Sequence, residues 1–395
     1  MGYDLNGKGK LNMKYCKMCL QPDTRPGIAF NKEGICYACL YQAKMKEIDW
    51  SQREKELRKI SDDAKNERVK RGNIYDCVIG VSGGKDSTFQ AVYAKEKLGL
   101  RPLLVNCVPD KITPVGQHNI DNLNKISGGF DIISIRPNPV IAKKLAKKIF
   151  FERGNILAAS EYCLWASAYI IADKFNIPLI IQGENAALTL GTALQQDESD
   201  DAFNVTQTNT LRGFHVEELI HDTNITREDL FFYQIPHIEN MRKKGIKAIW
   251  LQYYTKEWSQ AGNADFSVAR GMLGRMDEDL HDIGRYRRFA ALDSDFQIVN
   301  QMLKYLKFGF GHATDDACYD IREGRITRND AIWYVKEYDG LCGEQYIRQV
   351  CKYLDISIET FWQVTDRYVN KDLFYKNSDG KWTPKFSVGV DFNEG

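Results

Sequence analysis

No stretch of this 395-residue chain approaches the ~18 consecutive apolar residues of a spanning helix, so no membrane span is expected. The segment Met1 to Lys14 is polar and Gly-containing and lacks the apolar centre of a signal peptide. It reads as a short disordered lead-in, and the expected compartment is the cytosol, where thiols stay reduced. Neither sign of charge is in excess: 54 Lys and Arg face 53 Asp and Glu, a formal net charge of +1. That disfavours a polyanion-binding surface and, with it, nucleic acid as a partner. There is no internal repeat and no low-complexity tract. A disulfide framework is missing too. Of ten cysteines, four fall between Cys16 and Cys39, and Cys77, Cys107, Cys163, Cys318, Cys342 and Cys351 are scattered singly. This is the distribution of one local metal site plus ordinary thiols.

What is present suits a soluble protein with sizeable cores: 43% hydrophobic and 27% charged residues, in a chain long enough for two or three domains. Four regions follow from the pattern. Residues 15–45 form a compact cysteine module, and residues 46–73 a charge-rich linker helix from Asp49-Trp50 to Lys70-Arg71. Residues 74–200 alternate apolar strands (75–81, 102–108, 130–135, 178–182) with amphipathic helices (87–98, 116–126, 161–175). Near-continuous apolar strands alternating with helices predict an α/β fold with a parallel, doubly wound sheet. Residues 201–395 are expected to be a mainly helical substrate or partner region.

Cys16-x2-Cys19 and Cys36-x2-Cys39 are sixteen residues apart, the spacing of a four-thiolate zinc ribbon. Gly34, Pro22 and Pro26 suit its turns. A module of ~30 residues buries too little apolar surface to fold alone, so Zn2+ would stabilise it. With four thiolates the ion would be closed off and structural. An iron-sulfur cluster or redox-active pairs are the alternatives.

The apolar run Tyr75 to Val81 enters Ser82-Gly83-Gly84-Lys85-Asp86-Ser87, and a helix follows. The strand delivers the chain to the carboxyl edge of the sheet, where ligands bind in such folds. Gly83 and Gly84 let backbone amides approach a phosphate. The helix start aims unpaired amides at the same anion. Ser82 and Ser87 add hydroxyls, and Lys85 a point charge. The alternative is a Gly-rich turn with no ligand. The spacing is neither the Walker nor the dinucleotide pattern. It resembles the PP-loop of the ATP pyrophosphatase superfamily, which includes asparagine synthetase, GMP synthetase and several tRNA-modifying enzymes. That resemblance implies ATP held by its β- and γ-phosphates while a substrate oxygen attacks the α-phosphate. It also implies adenine received at Asn106, the end of the next strand, and Gly183-Glu184-Asn185 placed beside the nucleotide at the sheet's edge.

Further along, Lys307-Phe308-Gly309-Phe310-Gly311-His312-Ala313-Thr314-Asp315-Asp316-Ala317 leads into Asp320-Ile321-Arg322-Glu323-Gly324-Arg325-Ile326-Thr327-Arg328. A Gly-rich loop, an acidic pair and three arginines suit an anionic sugar or nucleotide with magnesium. The bland alternative is a capped helix-turn-helix, with Thr314 or Asp315 at one N-cap and Thr327 at the next. The double Cys-x2-Cys, Ser-Gly-Gly-Lys-Asp-Ser and this block, in this order, resemble the N-acetyl sugar amidotransferase family of surface-polysaccharide and nonulosonic-acid sugar biosynthesis. The resemblance covers most of residues 15–340 and departs from the family pattern at His312.

That family's chemistry implies conversion of a sugar N-acetyl group to an acetamidino group, with ATP, Mg2+ and Zn2+ as cofactors. Transfer of AMP to the amide oxygen gives an O-adenylyl imidate and pyrophosphate, and ammonia then displaces AMP. The resemblance assigns Lys85 to phosphate charge, Asp86 with Asp315 or Asp316 to magnesium, and Arg322 and Arg325 to an anionic part of the substrate. The chain has no amino-terminal nucleophilic cysteine or glutaminase triad. Ammonia would therefore come from separate glutaminase and ammonia-channel subunits resembling those of imidazole-glycerol-phosphate synthase. The Gly309 and Gly311 pair suggests a flexible loop closing over the nucleotide, with Arg322, Arg325 and Arg328 in a band along one helix.

The rival enzyme reading is a PP-loop tRNA thiolation enzyme or another tRNA-modifying enzyme. The cluster-dependent type needs three further cysteines, two of them as Cys-x2-Cys, where this chain has Ser160-Glu161-Tyr162-Cys163. A non-catalytic zinc-ribbon interaction module is the other rival, disfavoured by the intact Lys85 and Asp86. Trp250, Tyr253, Tyr254 and Trp258 read as core in preference to a sugar platform, Cys163 as a buried thiol, and Arg285, Arg287 and Arg288 as a solvated helix face in preference to phosphate contacts. His215, His221 and His237 show no metal-ligand spacing.

Overall fold

The computed structural model describes residues 12–192, 198–205, 216–221 and 223–393. The first eleven residues of the expected lead-in and His215 lie outside the described residues. The end of that lead-in is ordered: β1 (Asn12–Met13) pairs antiparallel with β9 (Phe392–Asn393).

Five parallel strands form the central sheet: β2 (Cys77–Gly80), β3 (Pro102–Cys107), β4 (Asp131–Ile135), β5 (Leu179–Gln182) and β6 (Lys247–Trp250). Their spatial order is β4-β3-β2-β5-β6. Strand residues alternate between two cores. Val78, Leu103, Val105, Ile180 and Trp250 pack with helices 139–153 and 158–174 on one face. Cys77, Ile79, Leu104, Ile181 and Ile249 pack with helices 50–70, 85–92 and 114–123 on the other. Burial on both faces is why β2, β3 and β5 read as near-continuous apolar runs; β4, at the sheet edge, keeps Asp131 and Ser134 exposed. Four strands fall where the sequence places them, each trimmed at one or both ends. The fifth lies beyond residue 200, inside the region expected to be mainly helical. Lys-Ala-Ile-Trp is as long as β2 and β5, but it opens on a lysine and passes at once into helix 251–254, so no bounded apolar run marks it. Helix 139–153 was also not foreseen.

The order places β2 at the centre, with its crossovers running outward through β3 to one edge and through β5 to the other. The chain reverses direction at β2 and β5, which makes their carboxyl ends the switch point of the sheet. Helix 50–70 is a single 21-residue helix, capped by Asp49 accepting from the Gln52 amide at 3.0 Å. It buries Leu57, Ser61 and Ala64 against the sheet instead of spanning open space.

The carboxy-terminal region is built from helices 296–308, 312–322, 328–338, 344–354 and 358–368 and an antiparallel hairpin, β7 (Phe374–Lys376) with β8 (Trp382–Pro384). It is joined to the sheet layer through Ala146 and Phe150 of helix 139–153, which share a core with Phe296, Val299, Val350 and Phe361. The cysteine module packs on helices 312–322 and 328–338, where Leu20 and Ile28 meet Ala317, Ala331 and Val335. Among the described residues no helix is long and apolar enough to cross a membrane.

Candidate functional site

The Ser82–Ser87 loop leaves β2 at the switch point. Gly83 sits at φ +75°, and a Cβ there would come within 2.9 Å of the Asn119 side chain and the Ile120 amide nitrogen, so only glycine fits. Helix 85–92 starts at Lys85 with Gly84 as its N-cap and no side-chain cap, leaving its first amides open to an anion. Lys85 is largely buried and pairs with Asp86 at 2.6 Å. Asp86 also accepts from Asn263 Nδ2 at 2.8 Å, and Ser267 Oγ donates to the Lys85 carbonyl at 2.9 Å. Helix 260–268, which the sequence reading missed, therefore clamps the loop from outside.

Gly183, Glu184 and Asn185 follow β5 and stand beside this loop. A Cβ on Gly183 would lie 2.8 Å from Trp258 and 3.0 Å from Gln90. The Asn185 amide donates to Gln252 at 3.0 Å. Glu184 accepts from Tyr319 OH at 2.7 Å and from Gln260 Nε2 at 3.2 Å. Burial pushes its carboxyl up, and the negative charge of Asp86 adds to the shift. Asn106, at the end of β3, donates to the Val81 carbonyl at 2.9 Å and so ties the two strand ends together. A cleft opens one residue further on, lined by Cys107, Val108, Leu157, Cys163 and Tyr233. Cys163 is buried, as expected, with its Sγ 2.9 Å from that of Cys107.

The four module cysteines converge. All are buried, and their sulfurs lie within 4.8 Å of one another, with Cys16–Cys39 at 3.9 Å and Cys19–Cys36 at 3.7 Å. A tetrahedron with metal–sulfur bonds of about 2.3 Å has edges of about 3.8 Å, so the set fits zinc. The Gln21 amide donates to Cys19 Sγ at 3.4 Å and the Cys36 amide to Cys16 Sγ at 3.3 Å, contacts that stabilise thiolates. Among the described residues no other group of three His, Cys, Asp or Glu side chains converges this closely.

The 307–328 block departs from several expectations. Gly309 is the left-handed C-cap of helix 296–308, packed against Leu373, Met13 and Phe386, and Gly311 lies against Asp339. Neither belongs to a loose loop. The N-cap of helix 312–322 is Gly311, and neither Thr314 nor Asp315 caps it. Asp339, from the next helix's end, accepts from the amides of Gly311 (2.7 Å) and Ala313 (2.9 Å) and from Thr314 Oγ1 (2.6 Å). Thr327 does cap the following helix, in a capping box with Asp330. Arg322, Arg325 and Arg328 do not share a helix: the first ends one, the second lies in the turn, the third begins the next.

The candidate residues of this block are held by protein partners. Asp315 pairs with Arg25 and, at 2.7 Å, with Lys304; Asp316 pairs with Arg285 at 2.9 Å. Arg325 is half exposed, 3.5 Å from Asp320. Arg322 donates to the Thr189 carbonyl at 3.0 Å, lies over the Tyr319 ring, and reaches to 4.0 Å from Cys19 Sγ. Arg328 reaches the Cys19 carbonyl at 3.3 Å. Of the two arginines expected on substrate, Arg322 also braces the first cysteine knuckle, together with Arg328, whereas Arg325 lies beside Asp320 instead. Arg322→Ala is expected to lower thermal stability and to speed zinc loss to a chelator, because it removes a cation beside a thiolate cluster. Unchanged zinc retention and melting temperature would refute this bracing role.

Arg285, Arg287 and Arg288 are not a solvated helix face. Arg285 is 1% exposed, Arg287 pairs with Asp320, and Arg288 donates to the carbonyls of Arg275 and Glu278 at 2.6 and 2.7 Å. Trp250, Tyr254 and Trp258 are core residues, as read.

Residues 283–387 match the family model described as the C-terminal domain of WbpG-like LPS biosynthesis proteins. No curated protein matches the chain. The matched segment contains helix 312–322, whose Tyr319 touches Glu184. The part of the chain similar to an LPS biosynthesis domain is therefore the part that closes on the edge of the parallel sheet. This links the chain to polysaccharide biosynthesis.

Proposed function

We propose that this chain is an ATP-dependent amidotransferase that converts the N-acetyl group of a sugar in surface-polysaccharide synthesis to an acetamidino group. The observation that carries the reading is the Ser82–Ser87 loop at the switch point, walled by the carboxy-terminal block through Tyr319 and Glu184. Ser82, Gly83, Gly84 and Ser87 would cradle the phosphates, with Lys85 swinging from Asp86 to neutralise them. Adenine would enter the cleft beyond Asn106. Asp86, with Glu184 and Asn185 nearby, would hold the magnesium of MgATP, which screens phosphate charge when bound. Asp315 and Asp316 would act through the cations they hold. Arg325, and Arg322 from the cleft it shares with Glu184 and Gln260, would face an anionic part of the sugar.

An amide carbonyl is a poor electrophile with a poor leaving group. Its oxygen attacks the α-phosphate and pyrophosphate leaves, giving the O-adenylyl imidate. Ammonia from a partner glutaminase adds at the imidate carbon and AMP departs. The protein contributes positioning and charge stabilisation.

The test is mass spectrometry of acetamido sugars, free and nucleotide-linked, incubated with the full chain, MgATP and ammonium. The expected product has one oxygen replaced by NH, with one AMP and one pyrophosphate released per product. Release of ADP and phosphate, or AMP formation that depends on added tRNA, would overturn the reading.

A further inference from the structure

The least expected residue of the 307–328 block is His312. It is the first residue of helix 312–322, lies deep in the fold, and keeps part of its surface accessible. Its Nδ1 is 3.0 Å from Arg285 Nη1. A guanidinium can only donate. Nδ1 must therefore be the acceptor, and the ring proton sits on Nε2, for which the described residues supply no acceptor. Arg285 cannot turn away: its side chain is 1% exposed and its other Nη donates to Asp316 at 2.9 Å. Asp316, Arg285 and His312 form a chain in which each member orients the next.

Burial, with the charges of Arg285, Lys304, Lys85 and Arg287, holds the imidazole pKa well below the usual range; each of these cations is itself paired, to Asp316, Asp315, Asp86 and Asp320 respectively. The helix start adds to the same field. His312 stands two turns before Tyr319, on the same face of helix 312–322, and Tyr319 touches Glu184 beside the Ser82–Ser87 loop, so this face of the helix carries a neutral imidazole with an open N–H next to that loop. A neutral ring also keeps that N–H at any pH above its depressed pKa, so the contact does not depend on protonation.

We infer that His312 donates from Nε2 to a phosphate oxygen of the nucleotide bound at Ser82–Ser87, with Arg285 and Asp316 as positioning residues. The inference rests on the proposed nucleotide site and adds to it a contact from the carboxy-terminal block. It also gives Asp316 a task, that of fixing Arg285, distinct from metal binding.

The test uses the full chain with 15N-labelled histidine. Of its six histidines, His312 is assigned by the signal lost in His312→Gln. The expected spectrum at neutral pH is that of a neutral ring protonated on Nε2, and the Nε2–H signal should shift on addition of MgATP. In kinetics, His312→Ala should lower kcat for pyrophosphate release about 10²-fold in the folded fraction, with some loss of melting temperature because buried Arg285 loses its acceptor. His312→Gln, whose amide nitrogen can donate from nearly the same place, should recover part of the loss. An imidazolium, an Nδ1–H tautomer, a signal unmoved by MgATP that calorimetry shows to be bound, or wild-type turnover by His312→Ala would each overturn the inference. Failure of the wild-type chain to bind MgATP at all would instead sink the proposed nucleotide site.

Discussion

Replacing Lys85 by alanine should lower pyrophosphate release by about 10²–10³-fold, the usual cost of losing one preorganised contact to developing transition-state charge. Asp86→Ala should cost at least as much, because Asp86 is the partner of Lys85 at 2.6 Å and of Asn263 at 2.8 Å. Both side chains stand at a helix start and pair chiefly with each other, outside the apolar clusters, so the fold should survive with its melting temperature little changed. In the absence of nucleotide, Lys85 is neutralised by Asp86. Binding of ATP would exchange that ion pair for phosphate contacts and leave Asp86 for the magnesium. Lys85→Ala should accordingly weaken MgATP binding as well as slow the chemistry, whereas Asp86→Ala should raise the magnesium concentration needed for half-maximal rate. Near-normal AMP production by either variant would remove the loop from the reaction.

The second large effect concerns the metal. Protein purified without added metal should carry one zinc per chain, and Cys16→Ser should lose it together with the packing of the module. Structural zinc commonly contributes on the order of 10 kcal/mol to small modules, far more than residues 15–45 could recover from their own core. The loss should spread, because Leu20 and Ile28 share a cluster with Ala317, Ala331 and Val335, and because Arg25 of the module holds Asp315. A lowered melting temperature and exposure of helices 312–322 and 328–338 to proteolysis are the expected readouts. The surviving folded fraction should keep its intrinsic rate, since a closed four-thiolate site has no open position for substrate. An iron cluster absorbing in the visible, or an unaltered melting temperature in Cys16→Ser, would refute the assignment.

These predictions differ in how much of their basis the chain displays locally. The phosphate loop and the two cysteine pairs were legible because their chemistry depends on residues a few positions apart: two glycines before a lysine, two thiolates per knuckle. β2, β3 and β5 were legible because burial on both faces demands near-unbroken apolar runs, and β4 because three isoleucines mark it at the sheet edge. The fate of the carboxy-terminal block was not legible in the same way. Its glycines, acidic pair and arginines suggested a loop over a substrate, but Gly311 is packed on Asp339, 28 positions away, and Arg322 on Thr189 and Cys19. Spacing describes which residues can share a helix face; it does not say which distant partner has already occupied them.

By itself, then, the amino-acid order determined the alternation of strands and helices, the thiolate tetrahedron's four members and the strand-loop-helix that presents Ser82–Ser87, because each rests on short-range periodicity or on fixed local spacing. The tertiary structure alone decided that β6 completes the sheet, that Asn263 reaches Asp86 across 177 positions and Tyr319 reaches Glu184 across 135, and that Arg285 fixes the tautomer of His312. Those contacts join segments with no local signal for one another. They form only when burial of the two sheet faces and of the module–helix cluster brings the segments together, after which hydrogen-bond geometry selects the partners.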